Sequence, residues 1–151
     1  MLINNCAVYL MEKLKEILLK YNFPKRLTPA PATFKEIETM AGFQLPDDYK
    51  YYLINYMEHE EFIGSQFLRL WDIDNIMERN NGYGITDSLP NTLGIGSNGG
   101  GEFIAIELYE KNSFRIILSP FIDLDKQYHI QIGDSFTDMF IRLENDELWF
   151  K

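Results

Sequence analysis

Cysteine is almost missing from this chain. The single thiol, Cys6, has no second cysteine with which to form an internal disulfide. Histidine is nearly as scarce, and with only His59 and His129 no cysteine–histidine zinc set can be assembled. Positive charge is short as well. Lys and Arg number 14 against 23 Asp and Glu, which leaves a net charge of −9. A nucleic-acid binder needs a basic footprint to displace counterions from phosphate. This chain offers the opposite field, so no direct DNA or RNA partner is expected. Long apolar runs are absent too: no stretch approaches the roughly 18 residues of a membrane span. Residues 1–20 are broken by Asn4, Asn5, Glu12 and several lysines, unlike the apolar core of a signal peptide. Ile3-Asn4-Asn5-Cys6 lacks the small residues expected ahead of a lipidated cysteine. These absences predict a cytoplasmic protein with no membrane partner.

What is present is apolar and aromatic. A chain of 151 residues, 46% hydrophobic and 15% aromatic, fits one domain with a sizeable core. Its acidity suits a basic partner and speeds the encounter with one. The same acidity also serves plain solubility.

Leu10, Leu14, Ile17, Leu18 and Tyr21 recur at helical spacing and predict a helix over residues 7–20. A second helix is expected over residues 31–40, with Gly42 as a left-handed cap. Pro46 opens a third, where Asp47 and Asp48 suit the positive end of the dipole. Its Tyr49, Tyr52 and Tyr56 share one face, read as core with hydroxyls at the edge. Residues 57–64 read as an acidic loop. Residues 67–71 alternate as a strand, and Asp72 caps a helix that ends in a loop at residues 80–84. Further strands are expected at residues 93–96, 102–109, 114–118 and 128–132, with Ile104, Ile106 and Leu108 on one face of the second of these. Ser135 and Asp138 form a capping box for a last helix with Phe136, Met139, Phe140 and Leu143 as its stripe. Residues 147–150 suit a short edge strand. Helices lead, antiparallel strands follow and a helix closes, which is the order of an α+β fold. The architecture expected is helices packed around a curved, mainly antiparallel sheet.

Few residues suggest chemistry. Gly96-Ser97-Asn98-Gly99-Gly100-Gly101 lacks the Gly-Lys-Ser/Thr end of a P-loop and leads into a strand, not a helix. It reads as a turn that needs positive φ or close backbone packing. His59 among Glu58, Glu60 and Glu61 would need converging ligands to hold a metal. The pairs Asp72/Asp74 and Asp123/Asp125 offer too few ordered oxygens for calcium or magnesium. His129 has no serine or cysteine nucleophile beside it and reads as structural. No cofactor, metal or catalytic residue is expected, and no enzyme.

The ordered features are more telling. Ile37-Glu38 precedes Gly42-Phe43-Gln44-Leu45-Pro46-Asp47-Asp48-Tyr49-Lys50. A strand ending in Trp71, a helix end at Asn80, the segment Ile95-Gly96-Ser97-Asn98-Gly99-Gly100-Gly101-Glu102-Phe103 and Asp134-Ser135-Phe136-Thr137-Asp138 follow in turn. Over about Leu27 to Leu143 this run resembles the SUKH superfamily, which includes a fungal cell-wall synthesis regulator and many bacterial immunity proteins. The chain departs from that pattern at Met57–Gly64, where members often carry an Asn-Gly-Gly-like turn. It also carries an N-terminal helix outside the match, which divides it into residues 1–26, packed on the domain, and a SUKH-like domain at residues 27–151.

The resemblance implies binding rather than catalysis. Bacterial members look like antidotes to polymorphic toxins, often nucleases, which they occlude in the cytoplasm. A basic toxin would match this chain's charge. The contacts expected are the acidic positions Glu58, Glu60, Glu61, Asp72, Asp74 and Glu78, with Tyr83 as an aromatic anchor. The fungal relative suggests an alternative, a regulatory or scaffold domain that binds an ordinary cellular protein and has no toxin partner.

Overall fold

Six strands run in sequence order across one sheet, each antiparallel to the next. They are β1 (His59–Ile63), β2 (Gln66–Leu70), β3 (Thr92–Ser97), β4 (Glu102–Glu110), β5 (Ser113–Pro120) and β6 (Ile130–Gly133). The helices are α1 (Leu2–Lys20), α2 (Lys35–Ala41), α3 (Asp47–Asn55), α4 (Ile76–Tyr83), α5 (Ile85–Ser88) and α6 (Phe136–Glu144). This is the expected α+β arrangement around a curled antiparallel sheet. The computed structural model describes residues 2–31 and 33–150, with side chains from residue 5 onward. Met1, Ala32 and Lys151, which fall within the predicted 1–26 and 27–151 units, lie outside the described residues. No described helix is long and apolar enough to cross a membrane.

Both faces of the sheet are covered. Residues 103–107 of β4 are buried without alternation, so the single inward face expected for Ile104, Ile106 and Leu108 is only half of the packing. Gly94, in register with Ala105 on β4, marks the face that takes α4 and α5. A Cβ there would lie 2.8 Å from Ile85 Cδ1 and 3.1 Å from Asn80 Oδ1, so only glycine allows the approach. Elsewhere α6 lies on β5 and β6, and α1 and α3 pack against it. Phe136, Met139, Phe140 and Leu143 of α6 join Leu14, Ile17 and Leu18 of α1 in the core. The Tyr49-Tyr52-Tyr56 stripe lies inside, with Tyr52 stacked on Tyr56 at 5.8 Å. Burial raises all three hydroxyls, Tyr56 to about 12.

Polar ties fix the helices. Asp48 Oδ2 accepts from the Thr137 backbone N–H at 2.9 Å and from its hydroxyl at 2.8 Å, which caps α6 from the start of α3. Ser135 Oγ accepts from the Asp138 N–H, as the capping box requires, while Asp138 reaches back to the N–H of Asp134. Gly42 takes φ +88 and ends α2.

Several boundaries differ from those expected. The acidic loop is strand β1, joined to β2 by a two-residue turn at Gly64-Ser65. Its inward positions are His59, Glu61 and Ile63, so the alternation carries one aliphatic residue and is hard to see. Helix α2 starts at Lys35, because Phe34 takes a non-helical φ of −116. Helix α1 begins well before residue 7. The tail is no strand. Asp146 takes φ +58 and turns the chain back, and Trp149 is buried.

Candidate partner-binding face

The segment after β2 builds the candidate face. Trp71 continues the sheet by donating its N–H to Ile95 O at 2.9 Å. Asp72 precedes a single 3-10 turn, Ile73–Asn75, but its side chain caps nothing. Its carboxylate turns instead to Arg26. Helix α4 then runs on to Tyr83, past the expected loop. The reason is Asn80, which is fully buried and directs its amide into the sheet. Its Nδ2 donates to Gly94 O at 2.9 Å, and its Oδ1 accepts from Gly94 N at 2.8 Å. The amide thus pairs with strand backbone and leaves the helix free to continue. Gly84, at φ +71, ends it.

A row of stacked groups follows from this anchoring. Glu58 sits between two arginines, with Arg69 Nη2 at 3.1 Å and Arg79 Nη2 at 3.3 Å. The Arg79 guanidinium lies over the Trp71 ring, 5.3 Å from its centroid. Trp71 stacks on Tyr83 at 6.1 Å and 18°, and Tyr83 meets Phe121 at 4.4 Å. Tyr83 nevertheless keeps 49% of its surface exposed. Its ring is packed against Trp71 and Phe121 without a partner, and such packing lowers the ordering cost of binding.

The predicted contact residues divide into two groups. Glu58 and Asp72 are engaged within the chain, by Arg69 and Arg79 and by Arg26 respectively, while Glu61 lies 3.4 Å from His59 Nε2 without a hydrogen bond between them. Glu58 and Asp72 are also only 31% and 17% exposed, so they are not the open acids expected. Glu60, Asp74 and Glu78 are exposed and have no ion-pair partner among the described residues. Arg26, Arg69, Arg79 and Asn80, which hold the face together, were not legible as such in the sequence. Each acts across a fold contact that no local spacing announces.

Other chemistry-bearing residues serve structure. In the glycine-rich turn, Asn98 Oδ1 accepts from the N–H groups of Gly100 and Glu102, which leaves them unavailable to a phosphate. Asp125 accepts from the N–H of Gln127 and starts a short turn. Among the described residues no group of three or more His, Cys, Asp or Glu could hold a metal. Glu107, buried on β4, accepts from Arg115 Nε at 2.7 Å and faces His129 Nδ1 at 2.8 Å. Burial pushes the His129 imidazole below its ordinary pKa, although the Glu107 carboxylate works the other way.

The family model described as SMI1 / KNR4 family (SUKH-1) matches residues 28–142. The chain belongs to the SMI1/KNR4 (SUKH-1) family. A search of curated proteins finds no match. The SUKH-1 match takes in the whole sheet and leaves α1 and the tail outside it. The residues that carried the resemblance work inside this SUKH-1 fold: Asp48 caps α6, Asn80 pins α4, and Ser135 caps the last helix.

Proposed function

We propose that this SUKH-1 chain is a non-catalytic immunity protein. It binds a basic toxin domain, a nuclease being the class its charge suits best, and neutralises it by covering it. The observations that carry this reading are a half-exposed Tyr83, packed on Trp71 and Phe121, and the exposed acids Glu60, Asp74 and Glu78, which have no ion-pair partner among the described residues. The acids steer a cationic partner. The fixed aromatic gives it a central anchor of the kind that dominates stable interfaces. Arg26 neutralises Asp72, and Arg69 and Arg79 neutralise Glu58, which holds this part of the chain in shape. The site of action would be the cytoplasm.

The test is a pull-down from the source organism with the tagged chain as bait, followed by co-expression of the recovered partner. Recovery of a stoichiometric toxin-like domain, with growth restored when this chain is present, is the expected result. Recovery of ordinary cellular proteins alone would replace it with the regulatory or scaffold reading.

A further inference from the structure

Met77 and Arg79 are two residues apart on α4, so they project from nearly opposite sides of the helix. Arg79 faces the Trp71 ring. Met77 faces a different feature, a groove between α2 and the 73–77 segment. One depression of about 470 Å³ has Phe34, Ile37, Ile73 and Met77 in its walls. A second, of about 520 Å³, lies beside Met40. The two share Lys35, Glu36 and Met77 in their walls, so they adjoin as two parts of one trough. Glu36 and Asp74 stand exposed at its edge, and the exposed Glu78 follows Met77.

We propose that this trough takes a basic amphipathic helix of the partner. Its apolar side chains, one helical turn apart, enter between Met40, Ile73 and Met77. Its lysines or arginines meet Glu36, Asp74 and Glu78. Three physical features select this occupant. A trough flanked by helices receives a third helix through anchors at i, i+3 or i+4 and i+7. Methionine walls are unbranched and polarisable, so they adapt to the anchors they meet. Glu36, Asp74 and Glu78 outweigh the one cation of the trough, the exposed Lys35, so its edge favours a cationic helix, and it disfavours a second copy of this chain, which carries a net charge of −9 and would bring acids against acids. The inference rests on the reading of the chain as an antidote to a basic protein, and it names a docking element for that protein.

The probe is a synthetic helical peptide with leucines at i, i+3, i+4 and i+7 and lysines elsewhere. It is titrated into the full chain carrying 13C-methyl methionine. The methyl signals of Met40 and Met77 should move on binding, while those of Met11, Met57 and Met139 stay. A peptide of the same composition with the leucine stripe scrambled should bind at least about tenfold more weakly, and so should one with glutamate for lysine. The exposed-site variant Glu36→Lys/Asp74→Lys should lose the peptide by a similar factor while its fold is retained. No binding, equal binding of the scrambled peptide, or binding without movement of Met40 and Met77 would each overturn the proposal. So would movement of those signals with protein concentration alone, which would make the occupant a second copy. If the charge-reversed variant loses the peptide yet still protects cells from the toxin, the trough is not the docking element, and the antidote reading stands without it.

Discussion

Asp48 and Asp74 are the same residue type in two contrasting regions. Between α3 and α6, Asp48 accepts from three donors of the chain itself: the N–H of Tyr49, and the N–H and hydroxyl of Thr137. On the α4 side, Asp74 is exposed and has no ion-pair partner among the described residues. The first region contains residues that carried the family resemblance, and their polar atoms are used up in holding helices to one another. In the second, Asp74 lies outside that pattern and its charge is still available, whereas Asn80 of the same side carried the resemblance and is spent on Gly94. This explains why the resemblance speaks clearly about fold and says little about which partner is bound. A hydrogen bond that fixes a fold is spent on the chain's own donors, and only unspent polar groups can read another molecule.

The contrast can be broken most severely at Asn80. Replacing it with Ala strands the N–H and C=O of Gly94, both buried between α4 and β3. Each unsatisfied group costs about 1–3 kcal/mol, so Asn80→Ala should lose about 3 kcal/mol in urea unfolding. Because α4 carries Tyr83, partner affinity should fall with it. A loss near zero would mean that α4 is held by its apolar contacts alone. Asp48→Ala comes next, at about 2 kcal/mol, since Thr137 is fully buried and keeps two unanswered donors. A double-mutant cycle with Thr137→Val separates the hydroxyl from the backbone bond. Partner affinity should stay within about twofold here, because Asp48 belongs to the other region.

Much of this arrangement could be read before any coordinates. Gly42, the Ser135 cap and the β4–β5 strand pair follow from local rules, and the structure has them where expected, although Asp138 returns its carboxylate to the N–H of Asp134 and not to that of Ser135. What could not be read depends on contacts between distant segments. Asn80-Asn81-Gly82 looks like a turn until the Asn80 amide is seen to pair with Gly94. The chain at residues 59–63 looks like a loop because one inward position of three is aliphatic. In the candidate face the acids and Tyr83 were named from the sequence, but the arginines that neutralise Glu58 and Asp72 were not. Opposite charges far apart in sequence give no periodic signal.

A weaker effect is expected at the buried Glu107–His129–Arg115 group. Its imidazole has a pKa lowered from the ordinary 6.5, with burial as the main cause. Between the folded value and 6.5 the unfolded state therefore holds the extra proton. Stability from this group is fully present above that range and declines as pH falls through it. The groups facing His129 are Glu107, Arg115 and Lys126, and the last two add to the lowering. Unfolding measured from pH 7.5 down to about 5.5 should show a slope that His129→Gln flattens. An unchanged slope would mean that His129 titrates alike in both states.

The smallest effect on stability, and the sharpest test of the contrast, is charge reversal at Glu60, Asp74 and Glu78. All three side chains are exposed and make no ion pair among the described residues. Substitution by Lys should therefore shift unfolding free energy by no more than about 0.5 kcal/mol per site. The association rate with a basic partner should respond far more. Like charge would replace steering, and the rate at low salt should fall about tenfold or more, with the difference shrinking as salt is added. Stopped-flow association at two ionic strengths, run beside urea unfolding of the same variant, gives both numbers. A variant with the rate unchanged would show that these acids serve solubility alone, and the division between spent and unspent charge would lose its functional meaning. A variant with the rate reduced and the fold intact would locate recognition at the unspent acids and not at Asp48.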